Sequence, residues 1–238
     1  MIGWYTDNDL SKRVMESIPG IELRHIRDIY TNDSSISNGP NVFYGILRGC
    51  GNAMYISNCY GKNYYYIDNG YFDALYVDKN MHKNMDGKFR VVKNGMHEVY
   101  PGKEEHTVTG CKRILVIPPS SYSANFYDTT PEDWTASIVN DLQSRGCEIK
   151  IRHKSSVSPL KESIDWCDAT IVFNSMSVMT AIEAEKPVMD THGILKNYGK
   201  YPFDLMPVYD LQKLRDFYEP KQFTLEEFKQ GKCQWDMQ

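Results

Sequence analysis

The sequence predicts an α/β protein of two lobes, with a doubly wound parallel sheet in the C-terminal one. Three observations carry that expectation. Between Arg113 and Asp190 the chain alternates β-α-β-α-β-α-β, and two of the strands, RILVI and ATIVFN, are continuous apolar runs of the kind buried on both faces of a parallel sheet. A charged, Gly-containing, non-periodic stretch at 100–112 (YPGKEEHTVTGCK) then separates this half from a first half of shorter, more aromatic strands. The expected domains are an α/β lobe over 1–105, a doubly wound lobe over 106–209 and a helical tail over 210–238 that packs back on the body.

Taken in order, residues 9–17 form a helix with Leu10, Val14 and Met15 on one side, stopped by Pro19-Gly20. IELRHIRDIY (21–30) alternates as a strand with an ambiguous tail, TNDSSISNGPN (31–41) is a loop, and VFYGILRG (42–49) is a buried strand. NAMYISNCYGK (52–62) fits a short helix or a strand. NYYYIDNGYF (63–72) is an aromatic strand running into the turn tripeptide Asp68-Asn69-Gly70, and after the polar DKNMHKNMDGK (78–88), FRVVKNG (89–95) is a strand with an Asn-Gly turn. In the second lobe, 131–145 is a helix with the stripe Trp134, Ile138, Val139 and Leu142, EIKIRHK (148–154) a strand, and PLKESIDWC (159–167) a helix opened by Pro159. ATIVFN, SMSVMTAIEAEK and PVMD complete the alternation, with Ser175 as helix cap. The tail offers LQKLRDFY and then TLEEFKQG, a short helix capped by Thr224 and ended by Gly231.

With 238 residues, 41% of them hydrophobic, the chain can bury substantial cores. No run approaches the roughly 20 apolar residues needed to span a bilayer, and the opening MIGWYTD is too polar for a signal peptide, so no membrane association and a cytoplasmic location are expected. The six cysteines include no Cys-x-x-Cys pair and read as reduced thiols. The histidines, among them His82, His97 and His106, show no ligand spacing, so no metal is assigned. A formal charge of −4 supplies no whole-molecule field for nucleic acid, although a local basic groove stays compatible with it. The tyrosines clustered between Tyr60 and Tyr76 serve either to stack on a base or sugar or, as tyrosines beside strands do more often, to pack.

Ligands of a doubly wound sheet bind outside the carboxyl ends of its strands. Three strand ends of the second lobe carry polar groups there: Ser120 and Ser121 after RILVI, Arg152 and Lys154 after EIKI, and Ser175, Met176 and Ser177 after ATIVFN. Two cations, several hydroxyls and a helix N-terminus on one edge suit a diphosphate. An ordinary strand-to-helix connection with a Ser cap and solvated strand-end charges would leave the same residues in the sequence.

The order strand-PPS, Trp-bearing helix, Ile-Arg-x-Lys, helix, strand-Asn-Ser-x-Ser-helix, Lys-Pro-Val resembles the donor half of GT-B nucleotide-sugar glycosyltransferases, and YIDNGYF, FRVVKNG and QFTLEEFKQGKCQW resemble phage-encoded glycosyltransferase-like proteins associated with modified phage DNA. The resemblance implies a GT-B-like fold of two Rossmann-like lobes, acceptor side first and donor side second. It implies transfer of a sugar from a nucleotide-diphosphate donor, UDP-linked, to a hydroxyl, with hydroxymethylated pyrimidine in phage DNA as acceptor and the host cytoplasm as location. In many members an arginine-bearing strand end and a Ser-led helix hold the donor diphosphate, and a glutamate seven positions before the proline of the Lys-Pro-Val strand binds the ribose. Counting back from Pro187 gives Thr180, with Glu183 three residues later. Either Thr180 meets the ribose, or Glu183 reaches it, or the donor is held differently; Glu185 also stands where a helix-ending glycine is usual.

Transfer to a hydroxyl needs a base near the acceptor and compensation for charge on the departing diphosphate. A GT-B enzyme supplies the second with side chains and a helix end, and this sequence has no Asp-x-Asp motif, so neither a metal nor another cofactor is implied beside the nucleotide-sugar co-substrate. Asp68 is the candidate base, although Asp-Asn-Gly is equally a turn signal. Arg48, Tyr71, Arg90 and Asn94 are the acceptor-side candidates, each also readable as a surface residue. Two other classes fit the same residues: a non-catalytic protein that sequesters a nucleotide, and a sugar-nucleotide epimerase or hydrolase on the same fold.

Overall fold

The computed structural model describes residues 1–31, 36, 39–46, 48–72, 87–200 and 205–235; most of the loop expected at 31–41, and His82 with the polar stretch around it, lie outside them. The chain divides into two compact units, Met1–His97 with Tyr218–Gln238, and Glu98–Phe217. Unit 1 opens with β1 (Ile2–Tyr5), α1 (Asp9–Glu16), β2 (Glu22–His25), α2 (Asp28–Thr31), β3 (Asn41–Tyr44), α3 (Cys50–Cys59), β4 (Tyr64–Asn69) and β5 (Phe89–Lys93). Unit 2 carries β6 (His106–Val108), β7 (Arg113–Ile117), α4 (Ser121–Phe126), α5 (Pro131–Ser144), β8 (Glu148–Ile151), α6 (Leu160–Trp166), β9 (Ala169–Val172), α7 (Ser177–Glu183), β10 (Val188–Asp190), β11 (Met206–Val208) and α8 (Leu211–Tyr218). The chain then rejoins unit 1 with β12 (Gln222–Phe223) and α9 (Leu225–Lys229).

The division falls earlier than residue 105 because the stretch read as a linker is hydrogen-bonded into unit 2. Tyr100 N–H donates to Ile194 O at 2.7 Å, Glu105 N–H to Val208 O at 2.8 Å, and β6 pairs antiparallel with β11. The tail is likewise not a separate helical piece. Thr224 and Glu227 form a reciprocal capping box, as T-L-E-E predicts, but the two residues before it form β12, which pairs antiparallel with β5.

Unit 1 is a six-stranded sheet in the order β12-β5-β4-β3-β1-β2, parallel from β2 through β4 and antiparallel beyond. One face, with Val42, Tyr65, Ile67 and Phe89, packs against Val14 and Met15 of α1 and Phe228 of α9. The opposite face carries Trp4, Phe43, Tyr66, Asp68 and Arg90, neighbours by strand register. There Trp4 Nε1 donates to the buried Asn41 Oδ1 at 2.7 Å, so the indole enters the core with its polar atom satisfied.

Unit 2 contains a four-stranded parallel sheet, β10-β9-β7-β8. Trp134, Ile138 and Leu142 of α5 pack on Ile114, Val116, Ala169, Ile171, Phe173 and Met189. The alternate strand residues Leu115, Ile117, Val172 and Val188 are buried too, and α6 and α7 pack against β7, β9 and β10. Burial on both faces is why RILVI and ATIV are legible as unbroken apolar runs.

The turn after α7 contains a stored cost. Glu185 has φ +53, and Lys186 N–H donates to Ala181 O at 2.9 Å, so Glu185 occupies the left-handed position that ends a helix in a Schellman motif. A side chain there costs about 1 kcal/mol relative to glycine. Glu185→Gly is therefore expected to stabilise unit 2 by about 0.5–1 kcal/mol, read as a shift of the denaturation midpoint.

Candidate functional site

Because β7, β8, β9 and β10 run parallel, their carboxyl ends share one edge of unit 2. In strand order along the chain the sheet reads fourth, third, first, second, so successive connections leave in opposite directions from β7 and β9. The crevice of such a sheet opens at this switch point. Ser120 follows β7 and caps α4, its Oγ accepting from Ser123 N–H at 3.3 Å. Asn174 follows β9, and Ser123 Oγ donates to Asn174 Oδ1 at 3.1 Å, so a side-chain hydrogen bond joins the two strand ends at the crevice. Ser121 begins α4 and is exposed.

The structure departs from the expected helix cap in a specific way. Ser175 is not the N-cap: α7 starts at Ser177, and Met176 precedes it with no side-chain cap. Ser175 Oγ instead accepts from Ser177 N–H at 3.2 Å and lies 2.9 Å from Ser177 Oγ, placing two hydroxyls side by side at the strand end. Thr180 is half-buried one turn into α7. Glu183 is exposed in the last turn, six residues beyond Ser177 and so roughly 9 Å along the helix axis, away from the edge. Of the two residues weighed for the ribose position, the geometry thus leaves Thr180 nearer.

Arg152 follows the edge strand β8, on the far side of β7 from the crevice. Its Nη2 donates to Ser158 O at 2.6 Å and its Nη1 to His153 O at 3.4 Å, so the guanidinium braces the loop that follows it. Lys154 is exposed in the same loop.

The strand-end rule applied to PVMD points to a fourth segment at this edge. After β10 come Thr191, His192 and Gly193. Thr191 N–H donates to Val172 O at 3.0 Å and His192 N–H to Phe173 O at 2.7 Å, so this segment lies beside the end of β9. Two buried polar side chains shape it. Asp190 Oδ1 accepts from Gly193 N–H at 2.8 Å and Oδ2 from Leu195 N–H at 3.0 Å, while Asn197 Oδ1 accepts from Asp190 N–H at 2.7 Å. Only glycine fits at 193, because a Cβ there would run into the Asp190 carboxylate.

Burial pushes the Asp190 carboxyl up to about 7, against the pull of the N–H donors that favour its charge. The folded state then binds a proton that the unfolded state has released, so the contribution of Asp190 to stability is full below its unfolded value near 3.8 and is lost as pH rises through about 7. The expected slope is at most about 1.4 kcal/mol per pH unit over that window. Asp190→Asn should flatten this part of a stability-against-pH curve.

In unit 1 the structure separates the acceptor-side candidates into two places. Asp68 and Asn69 belong to β4, and their partners are Arg90 and Phe89, so Asp68-Asn69-Gly70 is not a tight turn. Gly70 is required by crowding, since a Cβ would come 2.5 Å from Gln222 Oε1. Asp68 Oδ2 accepts from Arg90 Nη2 at 2.8 Å and Oδ1 from Asn69 N–H at 2.8 Å. The Arg90 guanidinium lies 4.3 Å over the Tyr71 ring. Tyr71 Oη is 3.0 Å from His97 Nδ1, and Tyr66 Oη is 3.1 Å from His97 Nε2. Burial, with the Arg90 charge second, holds His97 at about 3, so the imidazole between the two phenols is neutral.

Arg48 is exposed just past β3, at the same carboxyl edge. Burial first, then the charge of Asp68, push the Tyr44 phenol up to about 12, while Arg48 pulls it down. Asn94 is elsewhere. It sits past the other end of β5, where its N–H donates to Tyr64 O at 2.8 Å and its Oδ1 accepts from Tyr64 N–H at 2.9 Å. Asn94 and Gly95 both have positive φ, +50 and +72, as an Asn-Gly turn requires, and Asp68 lies four positions along β4 from Tyr64, roughly 13 Å. Asn94 is a turn residue apart from the Asp68 cluster. A carboxylate missed in the sequence, Asp7, follows β1 at the carboxyl edge, where His25 Nε2 lies 3.1 Å from its Oδ1 and Arg27 reaches its other oxygen.

Among the described residues no helix is long and apolar enough to cross a membrane, and no three His, Cys, Asp or Glu side chains gather as a metal site. No protein-family model matches the sequence, and neither does any curated protein. Solved structures do resemble it. The beta Kdo 2,4 transferase of Thermosulfurimonas dismutans KpsC aligns over 90% of this chain and 88% of its own at 9% identity, with a TM-score of 0.48. The beta Kdo 2,7 transferase of the same KpsC aligns over 97% of this chain and 99% of its own at 13% identity, with a TM-score of 0.52, and the chain has a fold similar to that transferase along nearly its whole length.

Proposed function

We propose that the protein is a GT-B-type glycosyltransferase that moves a sugar from a nucleotide donor to a hydroxyl, with the donor on the carboxyl edge of unit 2 and the acceptor base, Asp68, on unit 1. The observation that carries this reading is the near-complete fold likeness to a sugar transferase, which transfers Kdo, in a chain whose switch point is lined with Ser120, Ser123, Asn174, Ser175 and Ser177. Hydroxyls there, such as Ser120 Oγ and one of the Ser175–Ser177 pair, can donate to a leaving diphosphate without a metal. Arg152 supports that charge through the β8 loop, and Thr180, half-buried one turn into α7, is the candidate for the ribose. Arg90 and Tyr71 hold the Asp68 carboxylate toward an acceptor, with Arg48 at the same edge.

The test is a panel of nucleotide sugars, UDP-linked and Kdo-linked among them, offered with hydroxymethyl-pyrimidine DNA and with glycan acceptors, products being read by mass spectrometry. Transfer to any hydroxyl supports the reading; sugar release without an acceptor points to a hydrolase. Arg152→Ala is expected to weaken nucleotide binding about 10- to 100-fold, and an unchanged dissociation constant removes Arg152 from the donor site. One observation favours a second reading, a non-catalytic nucleotide-binding protein: both Asp68 oxygens already have protein partners. Binding without turnover across the panel would support it.

A further inference from the structure

Most of the groups so far assigned to the unit 2 edge are hydroxyls or cations, which suit phosphate oxygens. His192 differs. Thr191 Oγ1 donates to Phe173 O at 3.1 Å, and a carbonyl can only accept, so a hydrogen bond there uses the hydroxyl proton. The same Oγ1 lies 2.8 Å from His192 Nδ1, a contact that then needs its proton on Nδ1. Both contacts are hydrogen bonds together in the Nδ1–H tautomer, in which Nε2, on the opposite side of the ring, carries a lone pair. The ring is stacked on Phe173, centroids 4.2 Å apart and planes at 19°, with Tyr127 at 5.3 Å, so its orientation is fixed. Burial, and the Lys196 charge after it, hold the imidazole below its ordinary value, which keeps it neutral near pH 7. Among the described residues nothing hydrogen-bonds to Nε2.

We propose that His192 Nε2 is a hydrogen-bond acceptor for a hydroxyl of the bound nucleotide sugar, and so a recognition residue for its ribose or its transferred sugar. A lone pair repels a phosphate oxygen and recognises only a donated hydrogen, so the group it meets belongs to the hydroxylated part of the ligand. The inference rests on the donor-edge reading above and adds to it the residue that reads hydroxyls there.

Two measurements on the intact protein test it. Long-range ¹H–¹⁵N spectra of the imidazoles, with His192 assigned through His192→Phe, should show an unprotonated Nε2 in the free protein. Its resonance should move on addition of whichever probe binds from UDP, CDP, GDP, CMP and the corresponding nucleotide sugars. His192→Phe retains a ring against Phe173 and should bind that probe about 3- to 10-fold more weakly. If the hydroxyl is the ribose's, the 2′- or 3′-deoxynucleotide should bind wild type and variant alike; if it is the sugar's, only the intact nucleotide sugar should separate them. A proton on Nε2 in the free protein overturns the proposal, as does a nucleotide that binds without moving Nε2 and with equal affinity for His192→Phe; the donor-edge reading survives that second result. Failure of every nucleotide and nucleotide sugar to bind overturns the donor-edge reading and this inference with it.

Discussion

Asp68→Asn is expected to lower sugar transfer by about 10²- to 10⁴-fold while leaving nucleotide affinity unchanged. Asn is close to isosteric, and its carbonyl oxygen can still accept from Arg90 or from Asn69 N–H, so the Arg90–Tyr71 stack has no reason to move. What disappears is the capacity to take a proton from the acceptor hydroxyl. The fold should barely register the change. The Asp68 side chain is 40% exposed, so its pairing with Arg90 is screened by solvent and contributes under about 1 kcal/mol. Steady-state rates with a competent donor and acceptor, beside a melting curve of the same sample, separate the two effects. Unchanged turnover would leave Asp68 as the partner that fixes Arg90 in the sheet and nothing more.

Phe173→Ala is expected to destabilise unit 2 by about 3–5 kcal/mol, the range for truncating a fully buried aromatic ring. Phe173 is 0% exposed, meets Trp134 edge-on at 5.7 Å and Tyr127 at 5.5 Å, and carries the His192 ring on its face. Truncation opens a cavity where α5 meets the sheet and removes the platform that orients His192. Denaturant titration followed by tryptophan fluorescence reads the stability, and Trp134 reports from the site of the cavity. A loss under about 1 kcal/mol would mean that the core closes over the gap and that Phe173 does not hold the strand end in place.

Much of unit 2 was legible because its chemistry is locally consistent. RILVI and ATIV are buried on both faces, α5 carries a clear apolar stripe, and strand ends can be found by counting. Helix α4 was not legible: SYSANF has no stripe, and the helix exists through the Ser120 cap. Unit 1 is harder for a physical reason. Its β2 is a polar edge strand, β12 is two residues long, and Asp68-Asn69-Gly70 has a turn composition inside a ladder. Pairing partners far apart in sequence decide such cases, as Arg90 does for Asp68 and Gln222 for Gly70. Antiparallel register also moved Asn94 away from its expected neighbours, because the residue five positions past Phe89 lies beside the start of β4, not its end. His192 and Asp7 each lie two residues past a strand, within reach of the same strand-end rule.

The donor edge of unit 2 is most directly tested by the structure of the protein with whichever nucleotide or nucleotide sugar it binds. The diphosphate, or the phosphate of a monophosphate, is predicted to lie at the switch point, within hydrogen-bond distance of the Ser120–Ser123 and Asn174–Ser177 segments. A nucleotide bound away from those segments, or on the carboxyl edge of unit 1, would contradict it.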